Sequence, residues 1–270
     1  MSARAAPRPR PAAPLSRRAV GAALLGLLLA FGLLGPPLLA ADPARQDLSA
    51  ALSPPGGVYL LGADHLGRSM LVRLAHATRL SLGIAAATVA ASACVGALLG
   101  ILAALRGGWV DRALGLAAAA AQALPGLLLV LLVLAFAPGS VAAMALGIAL
   151  AQWVDFFRIA RAQARVLLAR PHVEAARVLG FNRGYVARRL LLPELAPALG
   201  TLAAFGLGGA VATVATLGFV SVGVRPPTAE LGSMTVELLP HMAEAPAQAL
   251  MPAVLVCAAV LGCQLLAGRR

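Results

Sequence analysis

Lysine is absent from this chain: all 22 basic residues among its 270 are arginine. A phosphate-binding P-loop closes on Gly-Lys-Ser/Thr because the lysine ammonium must reach the nucleotide phosphates. Nucleotide hydrolysis on a loop of that type is therefore excluded from this polypeptide. Charge of either sign is scarce, at 12% of residues with only ten carboxylates. A water-soluble domain carries about twice that fraction, so much of this surface must be solvated by lipid. Cysteine is nearly missing as well. Cys94, Cys257 and Cys263 fall in apolar stretches without paired spacing, which gives neither a disulfide framework nor a metal cage and leaves small packing residues. Paired acids within a span, a Ser/His/Asp set and zinc-ligand spacing are lacking too, so the chain is read as not an enzyme and without a metal site.

What is present is apolar. Hydrophobic residues make up 60% of the chain and the mean hydropathy is +0.88. Crossing about 30 Å of hydrocarbon takes roughly 20 apolar residues, and six stretches qualify: 19–40, 80–105, 112–136, 141–158, 199–223 and 247–267. The fold class expected is all-α, a polytopic helical membrane protein with about six transmembrane helices. With the N-terminus inside, seventeen arginines fall on the cytoplasmic side and five outside, namely Arg45, Arg68, Arg73, Arg79 and Arg225. That bias fixes the orientation and accounts for the net charge of +12 without nucleic acid. Both termini are expected in the cytoplasm.

The chain divides into a basic tail (1–18), a first span (19–40), an outer segment (41–79) and a permease-like block (80–270) containing a large inner loop (160–198). The start of the chain has features of a secretory signal, with Arg17–Arg18 ahead of an apolar run. That run is longer than a signal core of about 7–15 residues and is read as an uncleaved anchor. Pro125, beside Gln122, is expected to kink the third span. In the fifth span Gly200, Gly206, Gly208 and Gly209 give a narrow surface suited to close packing, to lining a path, or to both. The outer acids Asp42, Asp47, Asp64, Glu230, Glu237 and Glu244 are expected to be solvated. His65, His76 and His241 lack ligand spacing.

The inner loop reads "VEAARVLGFNRGYVARRLLLP", residues 173 to 193. Pro171 suits a first helical turn, Gly180 a left-handed stop, and Asn182 the cap of a second helix running to Leu192 before Pro193. Val173, Ala176 and Leu179 share one side of the first helix. Two short helices with basic residues suggest DNA reading. But the unit is pinned between two spans and lacks the third helix and free soluble core that groove insertion needs, so no nucleic-acid partner is expected.

Glu174, Ala175, Ala176 and Gly180, followed by Leu192–Pro193, resemble the EAA loop of binding-protein-dependent ABC importer permeases. "LLGADHLGRSMLVRLAHATRLSL", with Gly62, Asp64, Gly67 and Arg68, is similar to the outer-loop signature of the C-type subunit of the dipeptide/oligopeptide/nickel branch. "LGFVSVGVRPPTAELGSM", with Gly223, Pro226, Pro227 and Gly232, is similar to that branch's segment after the fifth span. Ser69, Leu231 and Glu194 depart from the usual pattern and leave the architecture intact. The resemblance implies a multi-pass permease of the bacterial inner membrane, in contact with lipid, a homologous permease subunit, two ABC ATPase subunits and an extracytoplasmic substrate-binding protein. It implies no cofactor in this chain, with ATP–Mg on the partner subunits. Di- and oligopeptides are the default cargo, and nickel or another chelated metal the alternative. A secondary transporter is disfavoured because the central parts of the spans lack ionisable residues. A membrane-anchored DNA-binding regulator is disfavoured on the grounds already given.

Overall fold

A computed structural model describes residues 17–268; the basic tail ahead of Arg17, with Arg269 and Arg270, lies outside the described residues. Among the described residues ten α-helices carry the fold, and β structure is limited to two isolated bridges, Gly56 with Tyr59 and Ala63 with Ser69. In chain order they are α1 (Arg17–Leu39), α2 (Met70–Arg106), α3 (Gly108–Ala123), α4 (Gly126–Phe136) and α5 (Val141–Leu168). Then come α6 (Pro171–Val178), α7 (Arg183–Tyr185), α8 (Leu192–Phe219), α9 (Leu231–Leu238) and α10 (Pro246–Ala267). The protein is all-α and polytopic. Five helical runs are long and apolar enough to cross a membrane, and α3 with α4 makes a sixth when the bent pair counts as one span.

The central element is α2. Its 37 residues would extend about 55 Å at 1.5 Å per residue, well beyond a bilayer core of about 30 Å. The apolar stretch alone placed the second span at 80–105. The helix in fact starts at Met70, because Arg73 lies buried against protein and need not meet water. Along its inner half α2 packs on α5 through Gly96 and Gly100, four residues apart on one face. A Cβ at Gly100 would lie 2.6 Å from the Phe157 carbonyl oxygen. In lipid such small residues let two backbones approach and gain dispersion contact. On the other side α1 packs through Gly21 on α10 and through Gly32 on α2. Leu82 and Val89 of α2, Val130 of α4, Phe156 of α5 and Val211 of α8 meet in the main apolar core.

Two spans depart from the sequence expectation. The kink at Pro125 is a break: α3 and α4 meet at 85°, since proline removes one backbone donor and Leu124 is extended before it. The second helix of the inner loop does not stop ahead of Pro193. Arg183–Tyr185 runs through a π-helical turn (Val186–Leu191) straight into α8. A proline at the first turn of an α-helix lacks only a donor that has no partner there, and the widened π turn just before it absorbs the change of register. Pro193 therefore joins two helical segments, and α8 begins well before residue 199.

Candidate functional site

Two clusters stand at opposite ends of α2, named inner and outer after the orientation expected from the arginine bias. On the inner face, α6 lies across the base of α5 and the π turn. Val173 and Ala176 face inward, at 1% and 9% exposure, and Val173 sits among Ile101, Ala164, Leu167, Val186, Leu191 and Leu195. The Arg170 carbonyl accepts hydrogen bonds from the Val173 and Glu174 amides, and Gly180, at φ +83°, reverses the chain. A side chain there would be strained by the backbone alone, since a Cβ would meet open space. The Asn182 side chain then accepts from the Tyr185 amide at 2.8 Å, and the Phe181 and Tyr185 rings stack at 4.4 Å. Glu194 holds the two ends of the loop together, accepting from Arg170 at 2.8 Å with His172 at 3.4 Å.

Of the loop residues singled out in the sequence, Glu174, Ala175 and Gly180 share the exposed surface, while Ala176 is the buried foot of α6. Leu192 and Pro193 lie at the start of α8, past the π turn and away from the tip. Leu179 was expected beside Val173 and Ala176 but is 76% exposed, because α6 ends at Val178 and the chain has begun to turn. Val178 is 84% exposed next to it. These two apolar side chains, with Phe181 and Tyr185 beside them, are the tip that motif reading passed over. Two aliphatic residues at a glycine turn in an arginine-rich loop were the available signal. Behind the loop, Asp111 of α3 accepts from Arg161 Nε at 2.5 Å and Nη2 at 2.7 Å and also from Arg165. Two of the arginines read as topology signals thus tie α5 to the start of α3.

On the outer face the expectation of solvated acids holds for Asp42, Asp47 and Glu244, which are exposed, and fails for the other three. Asp64 and Glu230 are buried, as are Arg68 and Arg73. Gly62 and Gly67, at φ +78° and +72°, fold the 62–68 stretch into a compact loop, and a Cβ at Gly67 would run into the Asp47 carbonyl. Asp64 Oδ1 accepts from the Leu66 and Arg68 amides at 2.9 Å. Its Oδ2 accepts from Arg68 Nε at 2.6 Å and from Arg73 Nη1. Glu237 of α9 accepts from the same two guanidinium groups, at 3.0 and 2.9 Å. Two carboxylates and two guanidiniums thereby fasten α9 and the outer loop to the top of α2. Burial pushes the Asp64 carboxyl up, but the Arg68 amide and the charges of Arg73 and Arg68 outweigh it, leaving its pKa below the ordinary carboxylate value.

The segment after α8 wraps onto the same end. Gly223 packs on Gly218, the Pro226–Pro227 bond is cis, and the backbone of Gly232 lies so close to the Ala215 carbonyl that a Cβ would overlap it. Glu230 caps α9, accepting from the Gly232 and Ser233 amides at 2.9 and 2.8 Å, and from Ser81 of α2 at 3.2 Å. Burial raises its pKa despite those donors. All four outer-loop residues and Gly223 and Gly232 from the later motif therefore take part in one closed end. Asp64, His65 and Glu237 have potential ligand atoms within 4.8 Å of one another. Arg68 and Arg73 already hold both carboxylates there, and their positive charge opposes a cation at that point.

The chain matches the family model described as binding-protein-dependent transport system inner membrane component over residues 96–267. It is similar to the dipeptide transport system permease protein of Haemophilus influenzae, 31% identical across 90% of this chain and 86% of that protein. The glutathione transport system permease protein of Pectobacterium atrosepticum is 31% identical across 78% of this chain and 70% of its own length. A probable D,D-dipeptide transport system permease protein of Escherichia coli is 32% identical across 79% and 72%.

Proposed function

The chain belongs to the binding-protein-dependent inner-membrane transport family, and on that premise we propose that it is the membrane-spanning subunit of an ATP-driven importer of di- and oligopeptides. It is a multi-pass inner-membrane permease, and its family implies ATPase and substrate-binding partners. The relatives above are named for dipeptide, D,D-dipeptide and glutathione transport, which supports peptide cargo over nickel. Without lysine the chain holds no P-loop, so ATP–Mg is bound and hydrolysed on separate subunits. A homologous permease completes the transmembrane pathway. The arginine bias supports cytoplasmic termini.

The observation that carries the coupling role is the exposed tip of the inner loop: Val178 and Leu179 stand in water above a buried base of Val173 and Ala176. An apolar tip on a fixed base is finished by a protein surface that covers it. Glu174, exposed beside it, adds one directional charge. Closure of the ATPase pair pushes this loop, and the long helices anchored to its base, α5 and α8, carry the displacement into the membrane.

The test measures uptake of labelled dialanine and ATP hydrolysis in membranes containing the whole transporter. Gly180→Pro, which forces φ to about −65° where +83° is needed, and Glu174→Arg are expected to abolish uptake while leaving basal hydrolysis. Uptake unchanged in both variants removes the docking role.

A further inference from the structure

Asp155 is a carboxylate near the inner end of the fourth apolar stretch, 141–158. It sits on α5 about fourteen residues from the outer end of that helix, or roughly 21 Å along it, within the length that a hydrocarbon core of about 30 Å would cover. Yet it is exposed, and its side chain accepts a hydrogen bond from Gln122 of α3 at 3.3 Å. Arg158, also exposed, lies one turn nearer the cytoplasm and forms no ion pair among the described residues. The carboxylate charge is thus without an ion-pair partner among the described residues.

A second observation places this face away from lipid independently. Gln122 stands just before the break between α3 and α4, and residues 122–128 are all exposed. Irregular backbone at membrane depth is tolerated only where it meets protein or lines a water-filled path, because hydrocarbon offers its N–H and C=O groups no partner. Polar groups also pack behind this face. Gln152, one turn outward of Asp155 on α5, donates to the Gly206 carbonyl of α8 at 3.0 Å, and its own amide oxygen has no partner. Gly209 is exposed close by, where a Cβ would lie 3.8 Å from the Gln152 nitrogen. There α8 offers backbone rather than side chain.

We infer that Asp155 is a substrate-contact residue on an aqueous translocation face, where it receives the protonated amino group of a peptide in transit. The inference rests on the peptide-importer reading and adds a site and a ligand group to it. An unpaired carboxylate in low-dielectric surroundings favours a cation most strongly, and an ammonium hydrogen-bonded to it is charge-assisted. The neutral amide of Gln122, exposed beside it, offers a donor and an acceptor that match a peptide backbone.

The experiment uses the intact transporter in its own membrane, with Cys94, Cys257 and Cys263 replaced by alanine. Asp155→Cys is expected to react with a membrane-impermeant cationic thiosulfonate and to be protected by millimolar dialanine. Leu146→Cys, at an exposed apolar position on the same helix, is expected to stay unlabelled. In parallel, Asp155→Asn is expected to lower dialanine uptake about tenfold, the loss of one charge-assisted contact, with Asp155→Glu restoring most of it. An Asp155→Cys variant inert to the reagent overturns the inference, because the carboxylate is then sealed against a partner chain. Full uptake by Asp155→Asn overturns it as well, with the importer reading intact. Absence of dialanine uptake by the unmodified transporter sinks the peptide reading and the ammonium ligand with it.

Discussion

At the outer end of the molecule, arginine is buried; at the inner end, leucine and valine are exposed. Arg73 is fully enclosed between Asp64 and Glu237, whereas Leu179 and Val178 are three-quarters or more in the open. Composition alone leads one to expect the reverse. The difference lies in where each cluster finds its partners. The outer groups find theirs within the chain: the buried guanidiniums of Arg68 and Arg73 are matched by Asp64 and Glu237, and the glycines let the backbones close over them. The inner tip finds support beneath, from Val173 and Ala176, and nothing above. One end is finished by its own sequence, and the other is shaped for a second chain.

The comparison breaks most readily at Arg73. Removing one member of a buried ion cluster strands the charge it had balanced and costs about 3–5 kcal/mol. Arg73→Met is expected to show the largest loss of thermal stability in detergent and of accumulation in the membrane. Adding Asp64→Asn to it leaves Arg68 and Glu237 paired with no net charge, and part of the loss should return. A double variant as unstable as the single one would mean that Arg73 acts through packing of its stem, not through charge.

Glycine substitutions sharpen the contrast. Gly232→Ala drives a methyl into the Ala215 carbonyl, an overpacking worth about 1–3 kcal/mol. Gly180→Ala meets open space and suffers only the left-handed backbone, about 1 kcal/mol. Thermal unfolding of the two variants should therefore rank Gly232→Ala as the worse. Equal losses would mean that the outer wrap has slack.

How much of this was readable beforehand follows the same division. Hydropathy located the five spanning helices and the bent α3–α4 pair, because a run of apolar residues long enough to cross lipid has few other uses. The turn at Gly180 and the cap at Asn182 were also legible, since each depends on neighbours only a few residues away. The pairing of Arg68 and Arg73 with Glu237 was not, because those partners lie more than 160 positions apart in the chain. The start of the second span was set too late, at 80, because Arg73, His76 and Arg79 interrupt the apolar run over the first turns of α2. The fate of Pro193 depended on a π turn that no residue spacing announces. At the candidate site the motif residues were visible as a pattern, while Val178 and Leu179 mattered only once it was known which way α6 faced.

Acidity separates the outer groups by a smaller effect. Burial lowers the His65 pKa from its ordinary 6.5; Asp64 and Glu237 oppose that and Arg68 and His241 assist it. The unfolded chain then takes up the proton first, so stability at this end is lost as pH falls from 6.5 through the lower folded value. Asp64, also depressed, adds its own loss only at lower pH, below the ordinary carboxylate value. Glu230, whose pKa is raised, acts in the opposite sense and loses stability as pH rises through its folded value. Comparing thermal unfolding of the wild type with His65→Gln isolates the first of these: the variant should lack the loss that sets in below 6.5. Identical profiles would show that His65 is hydrated equally in both states.

The least effect on the fold is expected at the inner tip, and that absence is informative. Val178→Asp together with Leu179→Asp places charge where both side chains already meet water, so unfolding should shift by no more than about 0.5 kcal/mol. Capture of the ATPase subunits in mild detergent should nonetheless fall steeply, since a charge buried in a docked interface without a partner is strongly unfavourable. A tip that serves the fold would give the opposite result, losing stability and partner together, and the loop would then belong with the outer knot as a structural element. Stability retained with capture lost is the outcome that only a surface completed by another chain can produce.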